Sequence, residues 1–202
     1  MTAQAPAALD AMLRRHSVSR FVDGALPTAS ELDLLLRAAA TVPDHGELRP
    51  YRFVVAQGEG RAHFGSALAA AGLEQNPSLP AGIQEKLRSK AFAAPTQILL
   101  IASPRAGMKI PEWEQLVTAS CTGFAITLAA FALGLGAIWK SAPFLEGAEL
   151  TRVLDLAAGE KLLGWVNVGR PVQPPADEPR RDPEPHAITR VLGPDGLVPY
   201  QA

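Results

Sequence analysis

The chain has 202 residues, 48% of them hydrophobic and 19% charged, and a formal net charge of −1. That is enough for one sizeable core and excludes a disordered chain; the near-zero charge excludes a whole-protein basic field for nucleic acid or anionic lipid. Cys121 is the only cysteine, which excludes an intramolecular disulfide and a multi-cysteine zinc site.

In chain order, residues 8–16 suit a helix with Leu9, Met12 and Leu13 on one side. "RFVDGALP" breaks it. Thr28 or Ser30 can then cap a second helix, "SELDLLLRAAATV", ended by Pro43. "PDHGELRP" reads as a loop by its Pro, Asp and Gly content. "YRFVVAQ" is aromatic and β-branched and stops at Gly58, the pattern of a strand. "GRAHFGSALAAAGL" and "IQEKLRSKAF" suit helices. "TQILLIAS" is apolar on both faces, as a central strand is. A long helix is expected over about 113–134, stopped by Gly134 and Gly136. "GAIWKS", "AELTRVLDL" and "KLLGWVNVGRP" read as strand, helix and strand. The tail, about 172–202, is proline-rich and is expected to be extended, lying over a partner chain. With no internal repeat and no domain-scale linker, the pattern is one mixed α/β or α+β domain over 1–202.

From Leu116 to Ile138 the chain carries no charge and is long enough to span a bilayer. Thr118, Ser120, Thr122 and Thr127 interrupt it, and Glu112 and Glu114 precede it where a membrane anchor favours basic residues. A helix apolar all round is then expected in a protein core or at a subunit interface. Cys121 within it reads as a buried, inert thiol. The N-terminus has no basic run followed by an apolar run, so no signal peptide is read there, and a reducing cytoplasm is expected.

Three stretches can carry chemistry. In "RRHSVSRF", Arg15, His16, Ser17 and Ser19 offer a guanidinium fork, an imidazole and hydroxyl donors where a helix gives way to a loop. Taken alone, that is either a solvated helix end or an anion site. In "TVPDHGELRPYRFVV", His45 precedes a core strand and is placed to touch a ligand at the sheet edge, unless Asp44 and His45 only pair locally. In "GLGAIWKSAP", two glycines bring backbone close, Trp139 offers an aromatic face and Lys140 a cation; a strand-end Trp also suits a core. The four histidines share no metal-ligand spacing. There is no Walker loop, no G-x-G-x-x-G and no G-x-S-x-G.

In this order, "RRHSVSRF", "LRAAATVPDHGELRPYRFVV", "FAAPTQILLIAS", "KIPEWEQLVTASC", "LGLGAIWKS" and "LLGWVNVGRP" resemble the FMN-dependent nitroreductase family, in particular its small YdjA-like branch, from about Leu9 to about Pro185. The resemblance implies an α+β fold: a three-layer α/β/α sandwich with a mostly antiparallel central sheet, as an obligate homodimer with two FMN molecules in the interface. It implies that Arg15, His16 and Ser17 hold the FMN phosphate and ribityl chain, that Thr41 and His45 reach FMN from the partner subunit, and that Trp139, Lys140 and Ser141 line the isoalloxazine ring. It implies ping-pong hydride transfer from NAD(P)H through FMN to nitroaromatic, quinone or similar acceptors, with no side chain required as acid or base and no metal. The cofactor carries the redox chemistry. Lys140 and Arg49 are candidates for a cation beside the reduced ring.

The chain departs from the family pattern at three places. Thr41 stands where the branch often has arginine, Glu47 where the wider family often has a flavin-contacting asparagine, and Arg49-Pro50-Tyr51 where many relatives have Gln-Pro-Trp. Arg180 or Arg181 could supply a substitute cation. These departures keep open an FMN-binding protein without turnover, serving storage or sensing.

Overall fold

The computed structural model describes residues 7–173, 184–194 and 196–200. The chain begins with α1 (Ala7–Arg14) and α2 (Ala29–Ala39). Thr28 starts α2 with a full capping box: its hydroxyl accepts from the Glu31 N–H at 3.2 Å, and Glu31 Oε2 accepts from the Thr28 N–H at 2.8 Å. A 3₁₀ turn (His45–Glu47) leads into β1 (Tyr51–Ala56). Next come α3 (Gly60–Gln75), α4 (Ala81–Ser89), β2 (Thr96–Ala102), α5 (Glu112–Ala132), β3 (Gly136–Lys140), α6 (Ala148–Leu154) and β4 (Lys161–Gly169).

The four strands form one sheet in the order β1-β2-β4-β3, every neighbouring pair antiparallel. The central strand β2 is buried along its whole length, as its two-sided apolar sequence predicts. Its side chains alternate between two cores. Leu99 and Ile101 join Trp165, Phe64, Leu68 and Leu150 under α3, α4 and α6. Ile98 and Leu100 join Val166, Val168, Leu35 and Ile126 under α2 and α5. Helices on both faces make the three layers expected from the sequence.

The β2–β4 register slips between Leu100 and Ile101: Leu100 faces Gly164, and Ile101 faces Leu162. Gly164 has φ 121°, and a Cβ there would run into the Lys140 carbonyl oxygen. A glycine inside a strand marks such a bulge. Here it brings the last turn of backbone before the β3 end directly against β4.

α5 explains its own hydroxyls. Ser120, Thr122 and Thr127 donate to the carbonyls of Leu116, Ala119 and Phe124 at 2.8, 2.6 and 2.8 Å. Each polar group is satisfied within the helix and needs no water. By length and composition α5 could cross a membrane, and 44% of its most apolar window is buried inside the chain. The helix is not buried all round, as expected for a core helix. Ala119, Thr122, Gly123, Ile126 and Ala130 pack inward, whereas Trp113, Val117 and Phe124 stand 64%, 54% and 46% exposed.

The tail is not simply extended. After the undescribed residues 174–183, which include Arg180 and Arg181, come α7 (Pro185–Ile188) and a hairpin of β5 (Arg190–Gly193) and β6 (Gly196–Pro199).

Candidate functional site

The Arg15–Ser17 segment leaves α1 and is strapped across the open edge of β3. The Val18 N–H donates to the Ala137 carbonyl at 2.9 Å, and the Val22 N–H donates to the Arg170 carbonyl at 2.9 Å. Phe21 bridges Pro171. These backbone bonds fix where the three residues before Val18 stand. Arg15 lies over the Phe124 ring, 6.0 Å from its centroid, close enough for a cation–π contact. His16 meets Phe131 edge-on at 6.1 Å, and its Nδ1 lies 3.3 Å from the Arg14 carbonyl oxygen. Ser17 is exposed.

Trp139 reaches the same part of α5, at Gly123. A Cβ on Gly123 would stand 2.8 Å from the Trp139 ring and 2.7 Å from Leu100 Cδ1. Gly123 therefore gives the indole room to lie on the helix. Arg15 on Phe124 and Trp139 on Gly123 are thus brought together through adjacent residues of α5. Trp139 keeps 37% of its surface exposed, which makes it a partly open aromatic wall rather than a core side chain.

Lys140 and Ser141 continue from Trp139 and are exposed. Lys140 shares a cavity of about 280 Å³ with Lys86, Ser89, Lys90, Trp165 and Asn167. Lys90 Nζ donates to the Ser141 carbonyl at 3.4 Å. Its backbone carbonyl accepts from Gln97 Nε2 at 3.0 Å, and the same amide donates to Asn167 Oδ1 at 2.9 Å. The buried Gln97–Asn167 pair thus holds the Lys90 backbone against the sheet. Trp165 Nε1, fully buried in the wall of this cavity, has no hydrogen-bond acceptor among the described residues. Three lysines with no lining carboxylate make a cationic hollow at the end of β3. The sequence reading found Lys140 but missed Lys86 and Lys90. Their signal was present as basic residues in "IQEKLRSKAF", yet only the fold brings that helix to Ser141.

Thr41 and His45 stand apart from this group, on the loop between α2 and β1. Thr41 donates to the Ala38 carbonyl at 2.8 Å and lines a hollow of about 350 Å³ with Asp44, Glu47, Arg49 and Tyr51. Arg49 therefore sits near Thr41 and not near Lys140. The loop is held in an uncommon conformation: Gly46, Glu47 and Arg49 have φ of 75°, 51° and 48°. Asp44 Oδ2 accepts from the Arg49 N–H at 2.6 Å and closes the turn. A left-handed non-glycine residue costs about 1–2 kcal/mol, and such strain clusters at functional loops. Burial raises the Tyr51 hydroxyl above its usual range, and the nearby Asp44 charge adds to the shift. Asp44 does not pair with His45. The imidazole turns to α5, where Nδ1 lies 2.9 Å from Glu114 Oε2.

His45 and Glu114 border an apolar slot of about 240 Å³, with Ile110, Trp113, Val117, Thr118 and Cys121 among its walls. Cys121 is half-buried on this wall and not fully buried as expected. Glu114 and Phe124 are ten positions apart on α5, about 15 Å along the axis. One chain therefore holds two separate groups of the expected residues: Arg15, His16, Ser17, Trp139, Lys140 and Ser141 around β3, and Thr41 with His45 at the other end of α5.

A helix-covered antiparallel sheet with ligand-type side chains at an open strand edge and along one exposed helix defines a class of fold, and known proteins share it. Residues 12–170 match the Nitroreductase family, and the chain belongs to that family. It is 35% identical over 168 residues to the Escherichia coli (strain K12) protein named "Putative NAD(P)H nitroreductase YdjA", which covers 81% of this chain and 88% of that one. A nitroreductase-like family protein from Bacillus cereus superposes with a TM-score of 0.75 at 21% identity, covering 96% of this chain and all of the other. A Desulfovibrio desulfuricans protein described as "a putative nitroreductase in complex with fmn" superposes with a TM-score of 0.64 at 23% identity, covering 89% of this chain and 94% of that one.

Proposed function

We propose that this chain is an FMN-dependent NAD(P)H oxidoreductase, working as a homodimer with one FMN-binding domain per chain. The observation that carries it is the convergence of Arg15 and Trp139 on adjacent residues of α5, with the lysine hollow beginning at Lys140. The residues fit the cofactor. Arg15 supplies a forked cation for the phosphate, and Ser17 a hydroxyl, with His16 beside them. Trp139 and Ser141 border the isoalloxazine ring. The hollow offers Lys90 and Lys140 as cations for its polar edge, and the buried Trp165 N–H lacks an acceptor there.

When bound, FMN supplies the two-electron chemistry of a ping-pong cycle between NAD(P)H and a nitroaromatic, quinone or similar acceptor. Lys90 and Lys140 favour negative charge at that place, which makes reduction easier. Trp139 and the apolar face of α5 exclude water. No side chain is assigned as acid or base. Thr41 and His45, far from Arg15 in their own chain, serve the partner's cofactor. The exposed Trp113, Val117 and Phe124 on α5, with Leu9, Met12 and Leu13 on α1, supply the apolar surface for that dimer. The reading places the protein in the cytoplasm.

A second reading, an FMN-binding protein without turnover, is favoured by one observation. Glu47 shares the Thr41 hollow and puts a carboxylate where the wider family often has a flavin-contacting asparagine. The visible spectrum of the purified protein with added FMN tests both. Flavin bands that NADH or NADPH bleaches without oxygen support the enzyme. Bands that persist support the binder, and a protein that takes up no flavin overturns both.

A further inference from the structure

The His45–Glu114 pair is absorbed by neither the fold nor the expected motif roles. It joins the α2–β1 loop to the first turn of α5 across 69 residues of chain. Both sides of the joint are braced. Thr118 Oγ1 donates to the Pro43 carbonyl at 3.2 Å and pins the loop beside His45. Gln115, almost fully buried, accepts from the Arg105 N–H at 2.7 Å and donates to the Ile110 carbonyl at 3.0 Å. Ile110 Cδ1 in turn packs on Gly46, where an added Cβ would stand 2.6 Å away. The charged side chains lining the slot with His45 are Asp44 and Glu114, and Asp44 is engaged by the Arg49 N–H.

The chemistry of the pair fixes one proton. A carboxylate only accepts, so the nitrogen at 2.9 Å must donate, and the proton sits on Nδ1. The hydrogen bond at one ring nitrogen decides the role of the other. We propose that Glu114 is a positioning residue of the cofactor site: it holds His45 with Nδ1–H toward α5 and leaves the Nε2 lone pair of the neutral ring as a hydrogen-bond acceptor for a donor group of FMN bound by the partner chain. This rests on the reading of His45 as a residue that serves the partner's cofactor. FMN offers two such donors, the ribityl hydroxyls and the ring N3–H.

Glu114 is also the side chain that commits the ring. Its removal lets the imidazole turn and lets the proton move to Nε2, which then repels the same donor. Glutamine keeps an acceptor oxygen at this place, whereas alanine keeps none. The two substitutions therefore separate positioning from bulk structure.

The test uses the full chain, stripped of flavin and titrated with FMN. Glu114→Ala weakens FMN about tenfold, a loss of roughly 1.4 kcal/mol, while Glu114→Gln stays within about threefold of the parent chain. Nitrogen-15 NMR of the flavin-loaded protein shows the His45 proton on Nδ1 and loses that signature in Glu114→Ala. Titration with 3-methyl-FMN separates the donors: unchanged affinity assigns the contact to a ribityl hydroxyl, and a drop of about tenfold, the size expected of Glu114→Ala, assigns it to N3–H. Equal FMN affinity in Glu114→Ala and the parent, or a proton found on Nε2 with Nδ1 bare, overturns the proposal. Failure of the parent chain to take up FMN would instead remove the function proposed above.

Discussion

On one face of the sheet, Leu99, Ile101 and Trp165 meet α3, α4 and α6 through large side chains, with Phe64 set edge-on to Trp165 at 5.0 Å. That face is completed within the chain. Its rim is locked by Glu160, which accepts from Arg52 Nη2 at 2.6 Å, from Ser103 Oγ at 2.6 Å and from the Ala157 N–H at 3.0 Å. Arg52 also donates to the Leu154 and Asp155 carbonyls. On the other face, Ile98, Leu100 and Val166 meet α2 and α5, and α5 contributes mostly small residues. Small residues bring the helix close, and its outer side remains apolar and exposed. Of the residues expected to touch cofactor, Arg15, His16 and Trp139 pack on α5 of this second face and Thr41 and His45 lie on the loop braced to α5, whereas Lys140 shares its hollow with Trp165 and α4 of the first. On the function proposed above, the difference separates stability from function: the first face holds the molecule together, and the second offers most of the surface for ligand and partner.

The largest effect is expected on the completed face. Trp165→Ala removes the biggest buried side chain and leaves a cavity beside Phe64. Denaturant unfolding should show a loss of about 3–5 kcal/mol. A loss no larger than that of an exposed substitution would mean that the completed face does not dominate stability.

The rim comes next. Its hydrogen bonds, with Arg52 the largest influence, hold the Glu160 carboxyl at about 2, below its ordinary 4.5. A depressed carboxylate stabilises the fold above its unfolded value and loses that contribution as pH falls from about 4.5 toward about 2. The contribution is on the order of 3 kcal/mol at neutral pH. Glu160→Gln should lower neutral-pH stability by about that amount and flatten the acid limb of a stability–pH curve. An acid limb identical to the parent's would place the lock elsewhere.

Gly123→Ala probes the seam between the two functions. Overpacking against Trp139 and Leu100 costs about 1–3 kcal/mol, and alanine in a helix returns nearly 1 of it. The net loss should be about 1 kcal/mol, with FMN affinity falling because the indole must move. Unchanged FMN affinity would show that Trp139 is wall and not contact.

Much of this arrangement was legible before the structure. β1, β2 and β4 declared themselves by branched and apolar runs, and the start of α2 by its two candidate caps, Thr28 and Ser30, of which the structure uses Thr28. The bulge at Gly164 had its signal in a glycine within an apolar strand. What was not legible arose from long-range contact or from composition. Glu114 lies in "IPEWEQ", but nothing local says that it turns to His45. Lys90 reaches Ser141 only because α4 packs against α3 and the sheet. The tail reads as extended because proline-rich sequence carries no periodicity, and α7 with the β5–β6 hairpin went unseen for that reason. For α5 the sequence left core and subunit interface open, because an apolar composition looks the same in a core and on a surface awaiting a partner.

That ambiguity sets the smallest and sharpest change. Val117 is half-exposed on α5, between Trp113 and the Phe124–Arg15 contact, and borders the slot beside His45. If α5 presents its outer side to water, Val117→Asp is an ordinary surface substitution, within about 0.5 kcal/mol of neutral for the isolated chain. If it presents that side to a second copy, the same carboxylate must be desolvated in the interface. Sedimentation should then report a monomer, with circular dichroism unchanged. Flavin retention should fall with the dimer, because Thr41 and His45 would no longer stand opposite Arg15 and Trp139. A dimer that persists in Val117→Asp would put the partner surface away from α5, and the two groups of site residues would then have to act separately.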